Sequence, residues 1–288
     1  MDVQAANRMG AHAFRYLAAK PRTGRVASRF RHGFNVLFEE ASDPGFLSVQ
    51  SEGVPLHPWA VASELAGRIR VGDLAVAKAD RIRFREGDVV MDLSAAAVDE
   101  LRIKTLASRD GERALSRLPV LNKLLEEERA KRDSDPFRPE IDAILKRWKG
   151  TGDSDVLLGL VGLGTGSTPA GDDVLVGMLA GFTAFERISN EAKTSLFGLR
   201  AARRAAETRE TPLPSAQMVA AATNGAVSEP VLELLSALAS ESELNVRKAT
   251  RSLASQGATS GLEMLSGLLQ ALDCLGSHDL GTQPLSIG

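Results

Sequence analysis

Residues 161–181 read Val-Gly-Leu-Gly-Thr-Gly-Ser-Thr-Pro-Ala-Gly-Asp-Asp-Val-Leu-Val-Gly-Met-Leu-Ala-Gly, and the rest of the chain is organised around them. Gly162, Gly164 and Gly166 alternate with other residues, Ser167, Thr168 and Pro169 follow, and Gly171, Asp172 and Asp173 open an apolar run. Alternating glycines permit positive φ and let a ligand approach the backbone closely. The pattern predicts a Gly-rich loop entering a buried helix, with Pro169 in the first turn and Thr168 as the N-cap. A helix starting there aims unpaired amides and partial positive charge outward, which suits an anion. The same residues also describe a capped helix packed tightly through its small side chains.

Working outward, residues 174–185 are nearly all apolar, which predicts a helix buried on every side. Further helices are expected over 190–207, 216–222 and 230–239, with a last one from Ser260 that carries Leu262, Met264, Leu265, Leu268 and Leu269. Upstream, 113–132 places leucines at helical spacing opposite a charged face, and 141–148 is a short amphipathic helix closed by Gly150 and Gly152. Before residue 94 the period changes to that of strands. Runs at 26–30, 34–38, 46–49 and 82–91 are rich in β-branched and aromatic residues and are separated by Asp43-Pro44-Gly45 and Glu86-Gly87-Asp88, so 81–85 and 89–93 read as a hairpin. Residues 2–19 read as a short helix leading in. The expected fold is α+β: an antiparallel β-rich N-terminal domain over 1–107, then a mostly α-helical domain over 108–288 that carries the Gly-rich loop.

The loop has an internal echo. With one residue gapped, Gly166-Ser-Thr-Pro-Ala-Gly-Asp-Asp-Val-Leu-Val-Gly177 aligns with Gly257-Ala-Thr-Ser-Gly-Leu-Glu-Met-Leu-Ser-Gly267, matching Thr168 to Thr259, Gly171 to Gly261, Asp173 to Glu263 and Gly177 to Gly267. Two helix starts that converge would enclose one pocket with two sets of N–H donors and two acids. Asp172 and Asp173 are adjacent, so they point about 100° apart on a helix and cannot both serve one cap. The acid left over is free to accept a substrate N–H, to act as a base, or to hold Mg²⁺ through water. No His/Cys spacing suggests zinc, no Gly-x-Ser-x-Gly elbow is present, and the loop lacks the lysine of a Walker A sequence.

Composition narrows the classes further. A net charge of -2 gives no global attraction to nucleic acid or to an anionic membrane. The single cysteine, Cys274, lies in an apolar run and reads as a buried thiol, which fits a reducing compartment. With no signal-like apolar core at the N-terminus and no long apolar span, a cytoplasmic location is expected. Arg8, Arg15, Lys20, Arg22, Arg25, Arg29 and Arg31 precede the next acid, Glu39, and form either a positive rim for an anionic substrate or a solvated basic face. His57, beside Pro58 and Trp59, is either a packed, capping residue or a ligand.

Thr168-Pro-Ala-Gly-Asp172 resembles the Thr-x-Ala-Gly-Asp anion hole of ribokinase-type sugar kinases, but the chain lacks the alternating strand–helix pattern of that fold. A broader resemblance, over nearly the whole chain, is to the AllH-like family, long catalogued as a domain of unknown function and associated with bacterial allantoin degradation and purine catabolism. It is carried by Phe34-Asn35-Val36-Leu37, Gly45-Phe-Leu-Ser-Val49, His57-Pro58, the loop 162–173, the stretch 211–215 with Gly225 and Glu229-Pro230, and Gly257-Ala-Thr-Ser-Gly261. The family is linked to oxamate carbamoyltransferase, which works with an FdrA-like partner and interconverts oxalurate plus phosphate with oxamate plus carbamoyl phosphate. The resemblance therefore implies a carbamoyltransferase-like enzyme or subunit. Gly164, Gly166, Ser167, Thr168, Gly171, Thr259, Ser260 and Gly261 would bind the anion, and Asp172 and Asp173 would be catalytic. Asn35, His57 and Glu263 are further candidates; where the family carries Asp in its last acidic position, this chain has Glu263. Mg²⁺ is the one cofactor the acids suggest. The alternative is a non-catalytic binding or assembly subunit that holds an acidic metabolite while its partner reacts.

Overall fold

The structure, a computed structural model, describes residues 2–40, 45–65, 68–132, 135–185 and 211–278, with Arg200 and Arg204. The chain divides into two compact units, Met1–Leu101 and Arg102–Gly288, each with its own hydrophobic core.

The first unit contains β1 (Asp2–Gly10), α1 (Ala11–Ala19), β2 (Arg22–Phe30), β3 (Gly33–Phe38), β4 (Gly45–Gln50), β5 (Ala60–Ser63), β6 (Leu74–Lys78), β7 (Arg81–Phe84), β8 (Val89–Asp92) and β9 (Ala97–Asp99). The strands are ordered β5-β4-β3-β2-β6-β7-β8-β1, and β1 pairs back onto β5, so eight strands close into a barrel with β9 added beside β1. Closure removes the exposed edges of an open sheet. Bulges between Ala6 and Arg8 and between Val26 and Ser28 bend β1 and β2. Phe34, Phe38, Phe84, Met9, Leu47, Ile82 and Met91 fill the core.

Two expectations are corrected here. The sheet is mixed, because β1 runs parallel to β8 and β9 and β4 runs parallel to β5. Residues 2–10 form a strand, with the helix confined to 11–19. Ala5, Ala6 and the spacing of apolar residues favour a helix locally, but the register of Asp2–Ala5 against Val89–Asp92 completes the barrel and overrides that preference. The hairpin of β7 and β8 forms as expected, with Phe84 opposite Val89. Much of the early basic run is engaged within this unit. Arg8 pairs with Asp99, Arg15 with Glu100 and Lys20 with Glu40. Buried Arg22 lies 3.4 Å from the centre of the Tyr16 ring.

The second unit is helical: α2 (Ser108–Leu115), α3 (Leu118–Arg129), α4 (Arg138–Thr151), a 3-10 helix (Ser154–Leu160), α5 (Ala170–Ala184), α6 (Leu213–Thr223), α7 (Glu229–Ala239), α8 (Glu243–Ala254) and α9 (Ser260–His278). The helix expected over 113–132 is two helices, because Pro119 has no N–H to offer the Leu115 carbonyl. The helix expected over 190–207 lies outside the described residues except for Arg200 and Arg204. In α5 only Phe182 and Thr183 escape full burial, as its apolar run requires. No helix among the described residues is long and apolar enough to cross a membrane.

Candidate functional site

Helices α5 and α9 cross in the same direction through their small residues. A Cβ on Gly177 would sit 1.9 Å from the Met264 carbonyl oxygen, and one on Gly267 would sit 1.9 Å from the Val174 carbonyl oxygen. Gly181 faces Ala271 in the same register. The crossing is reciprocal, so the internal echo has a structural counterpart, but its ungapped register pairs Thr259 with Pro169, not with Thr168. Hydrogen bonds at the two helix starts repeat this pairing. Asp172 and Asp173 donate their N–H groups to Pro169, and Leu262 and Glu263 donate theirs to Thr259.

Those bonds correct the picture of open helix ends. Gly171 N–H donates to Leu163 and Gly261 N–H to Gln256, and a Cβ on either glycine would strike a carbonyl oxygen, that of Leu160 or Leu253. Both are packing glycines whose amides are already satisfied. Pro169 occupies the N-cap position, at φ -55° and ψ 143°, with no side-chain cap. Thr168 is therefore not the cap; its hydroxyl instead lies 2.9 Å from that of Ser260. The loop itself is the open element. Gly162, Gly164 and Gly166 have φ of 75°, 130° and 88°, and Thr165, Gly166 and Ser167 are exposed. The N–H groups from Gly164 to Thr168 donate to no backbone carbonyl among the described residues. Successive amides around positive-φ glycines form the kind of concavity that receives anions.

Behind the loop sit three buried carboxyls in different environments. Asp172, 1% exposed, accepts the Gly162 N–H on Oδ1 at 2.9 Å and the Ser215 hydroxyl on Oδ2 at 2.7 Å. Burial raises its pKa and these two bonds pull it back. Glu263, 4% exposed, pairs with Arg138 at 2.7 Å, and Arg138 and Arg129 likewise offset the upward push of burial. Asp173, 2% exposed, meets no cation among the described residues. Burial holds its carboxyl well above the usual carboxylate range, the Ser260 bond lowers it, and the charges of Asp172 and Glu263 raise it further. Its Oδ2 has no hydrogen-bond partner. Separated environments of this kind divide acid roles between neighbouring carboxyls. Asp172 fastens the loop to α6, Glu263 is held by arginine, and Asp173 is the carboxyl whose pKa burial raises furthest from the usual range.

Asp172→Ala would strip the Gly162 N–H and the Ser215 hydroxyl of their acceptor, which costs about 1–3 kcal/mol per buried group. Urea unfolding of Asp172→Ala and of Ser215→Ala, each against the parent chain, checks this; an unchanged midpoint for Asp172→Ala contradicts it.

Thr168, Asp172, Asp173, Ser260 and Glu263 thus come together, whereas Asn35 and His57 belong to the other unit. Asn35 donates to the Ser28 hydroxyl at 2.9 Å. Nδ1 of His57 accepts the Trp59 N–H at 3.3 Å, and burial pushes its pKa down to about 4, as suits a neutral capping residue. Ser215, Arg138 and Arg129 were not read as site residues. Ser215 lies in the family-like stretch 211–215 but carries no local signal for an aspartate partner, and a buried Glu263 requires a cation that local sequence does not name. Among the described residues no group of three or more His, Cys, Asp and Glu side chains is placed to hold a metal ion. Burial pushes the Cys274 thiol up, which makes it a poor nucleophile.

Comparison with known proteins follows this geometry. No curated protein and no solved structure matches the chain. Two family models do. The one described as AllH family N-terminal domain matches residues 5–104, and the one described as oxamate carbamoyltransferase subunit AllH matches 160–272, which includes the loop, all three carboxyls and the α5–α9 crossing. Barrel and helical unit are matched in turn, over most of the length, and the chain therefore belongs to the AllH family.

Proposed function

We propose that this chain is the subunit of an oxamate carbamoyltransferase that seats the small anionic substrates on the 162–168 loop and supplies acid–base chemistry from Asp173. The substrates are oxalurate with phosphate in one direction, and oxamate with carbamoyl phosphate in the other. The observation that carries the reading is a buried carboxyl, its pKa raised well above the usual carboxylate range, lying behind loop amides that donate to no backbone carbonyl among the described residues. Each substrate brings carboxylate or phosphoryl oxygens that need N–H donors, and Gly164, Gly166, Ser167 and Thr168 offer them. In the oxalurate direction a phosphate oxygen attacks the terminal carbamoyl carbon, the carbon–nitrogen bond to oxamate breaks, and the departing nitrogen takes up a proton. An acid whose pKa burial has raised well above the usual carboxylate range is suited to supply that proton. An FdrA-like protein is the proposed partner, in keeping with the family's description as a subunit.

Two measurements test this. Phosphate or oxamate should shift the backbone amide resonances of 164–168 and, at 100 times the dissociation constant, add about 2.7 kcal/mol of stability. Carbamoyl phosphate should then form from oxalurate and phosphate when the chain is combined with its FdrA-like partner. No perturbation of the loop by either anion would overturn the assignment. Ligand binding without turnover, both alone and with the partner, would leave the non-catalytic subunit in its place.

A further inference from the structure

We propose that the Thr168 and Ser260 hydroxyls form a proton relay that joins a substrate on the 162–168 loop to the buried carboxyl of Asp173. Thr168 is then the catalytic residue that touches the substrate nitrogen, and Ser260 is a positioning residue between it and the acid. The inference rests on the functional reading above and adds a route for the proton.

The route is continuous. Thr168 is half-buried and follows the exposed Ser167, so its hydroxyl lies where the loop meets the interior. Its Oγ1 is 2.9 Å from Ser260 Oγ, and either can be the donor. The Ser260 hydroxyl in turn reaches the Asp173 carboxyl, whose pKa its hydrogen bond lowers, while Asp173 Oδ2 has no hydrogen-bond partner among the described residues. Direct contact between substrate and Asp173 is ruled out by burial, because the residue is 2% exposed.

Neither hydroxyl has a capping task. Asp172 and Asp173 donate their N–H groups to the Pro169 carbonyl, Leu262 and Glu263 theirs to that of Thr259, and Gly171 and Gly261 theirs to Leu163 and Gln256, so valine at 168 and alanine at 260 would leave these backbone bonds in place. The charged groups around Asp173 do not offer a second outlet. Asp172 on the same helix has both oxygens occupied by donors, and Glu263 on α9 faces Arg138, with Arg129 nearby. A proton leaving Asp173 has the Ser260 oxygen as its hydrogen-bonded acceptor.

The transfer balances. Asp173 gives its proton to Ser260 Oγ, Ser260 gives its own to Thr168 Oγ1, and Thr168 gives its own to the departing oxamate nitrogen as the carbamoyl carbon–nitrogen bond breaks. Each hydroxyl gains and loses one proton and is unchanged, the hydrogen phosphate loses its proton to solvent as its oxygen–carbon bond forms, and the Asp173 carboxylate takes a proton back from solvent along the same relay once oxamate has left. The reverse reaction runs the chain backwards, which the ambiguous donor between Thr168 and Ser260 permits.

The test uses the assembled enzyme, the full chain with its FdrA-like partner. Thr168→Val and Ser260→Ala should each lower kcat for oxalurate by about 100-fold, the lower end of the range for general acid catalysis, with KM little changed. Thr168→Ser, which restores the hydroxyl, should recover turnover to within a few-fold of the parent. The second readout is independent of substrate: the infrared carbonyl band of the protonated carboxyl, identified by its loss in Asp173→Asn, should shift in Ser260→Ala. Unchanged kcat in Thr168→Val overturns the relay while leaving the functional reading intact, and an unmoved band in Ser260→Ala overturns the Ser260–Asp173 link. A parent enzyme inert towards oxalurate whose band moves in Ser260→Ala overturns the functional reading and supports that link.

Discussion

Gly177→Ala is expected to destabilise the helical unit by about 3 kcal/mol, the upper end of the cost of overpacking a well-filled core. The added methyl carbon would lie 1.9 Å from the Met264 carbonyl oxygen, and backbone cannot rotate away as a flexible side chain can. Gly267→Ala meets the same obstacle from the opposite helix, at the Val174 carbonyl. Both changes widen one crossing, so the double variant should lose less than the sum of the two. The readout is available in the chain. Trp148 is buried in the helical core and Trp59 belongs to the barrel unit, so denaturant unfolding followed by fluorescence in a Trp59→Phe background reports on the helices alone. Gly150→Ala is the control: it is an α4 position with open space around it, and there alanine should gain up to about 1 kcal/mol. Equal midpoints for Gly177→Ala and the parent would mean that the helices do not cross where described.

Asp173→Asn should abolish most turnover, at least 100-fold in kcat by the usual worth of a general acid, and yet stabilise the fold at neutral pH. The two effects have one origin. Burial raises the carboxyl pKa above its value in the unfolded chain, so the folded state holds a proton that the unfolded state releases as pH rises past about 3.9. Stability from this group is therefore fully present at lower pH and is lost upward through the window between the ordinary and the raised pKa, by at most about 1.4 kcal/mol per pH unit. Asparagine has no such titration. Melting temperatures measured from pH 4 to pH 8 should converge at the acidic end and separate upward, with the variant higher; parallel curves would show that Asp173 titrates as an ordinary carboxyl.

Legibility in the sequence varied with the range of the interaction. The central helix, the hairpin of β7 and β8 and the division into strand-rich and helical parts follow from short periodic runs, which are local. The first strand did not, because what makes 2–10 extended is pairing with residues far along the chain, such as Asp2 with Val89. At the site, the convergence of two helix starts was visible as an echo. Its register was not, since gapping one residue to align two threonines hid the pairing of Pro169 with Thr259. The amides were misjudged for a related reason. Glycine at 171 and 261 suggests an open backbone, but each glycine is there to admit a carbonyl of the preceding segment. The distinction between Asp172 and Asp173 depends on Gly162, Ser215 and Ser260, and only folding brings those three to the acids.

The closing position of β1 sets an order of events during synthesis. Residues 2–10 leave the ribosome before their ladder partners, which lie at 61–63, 89–92 and 97–99. At about 5–20 residues per second, the strand waits on the order of seconds before any native partner exists. For that interval its backbone N–H and C=O groups lack the ladder partners of the barrel and are open to pairing with a neighbouring chain. A strand made before its partners is secured only after them, so the yield of folded protein depends on how quickly the hairpin of β7 and β8 follows it out.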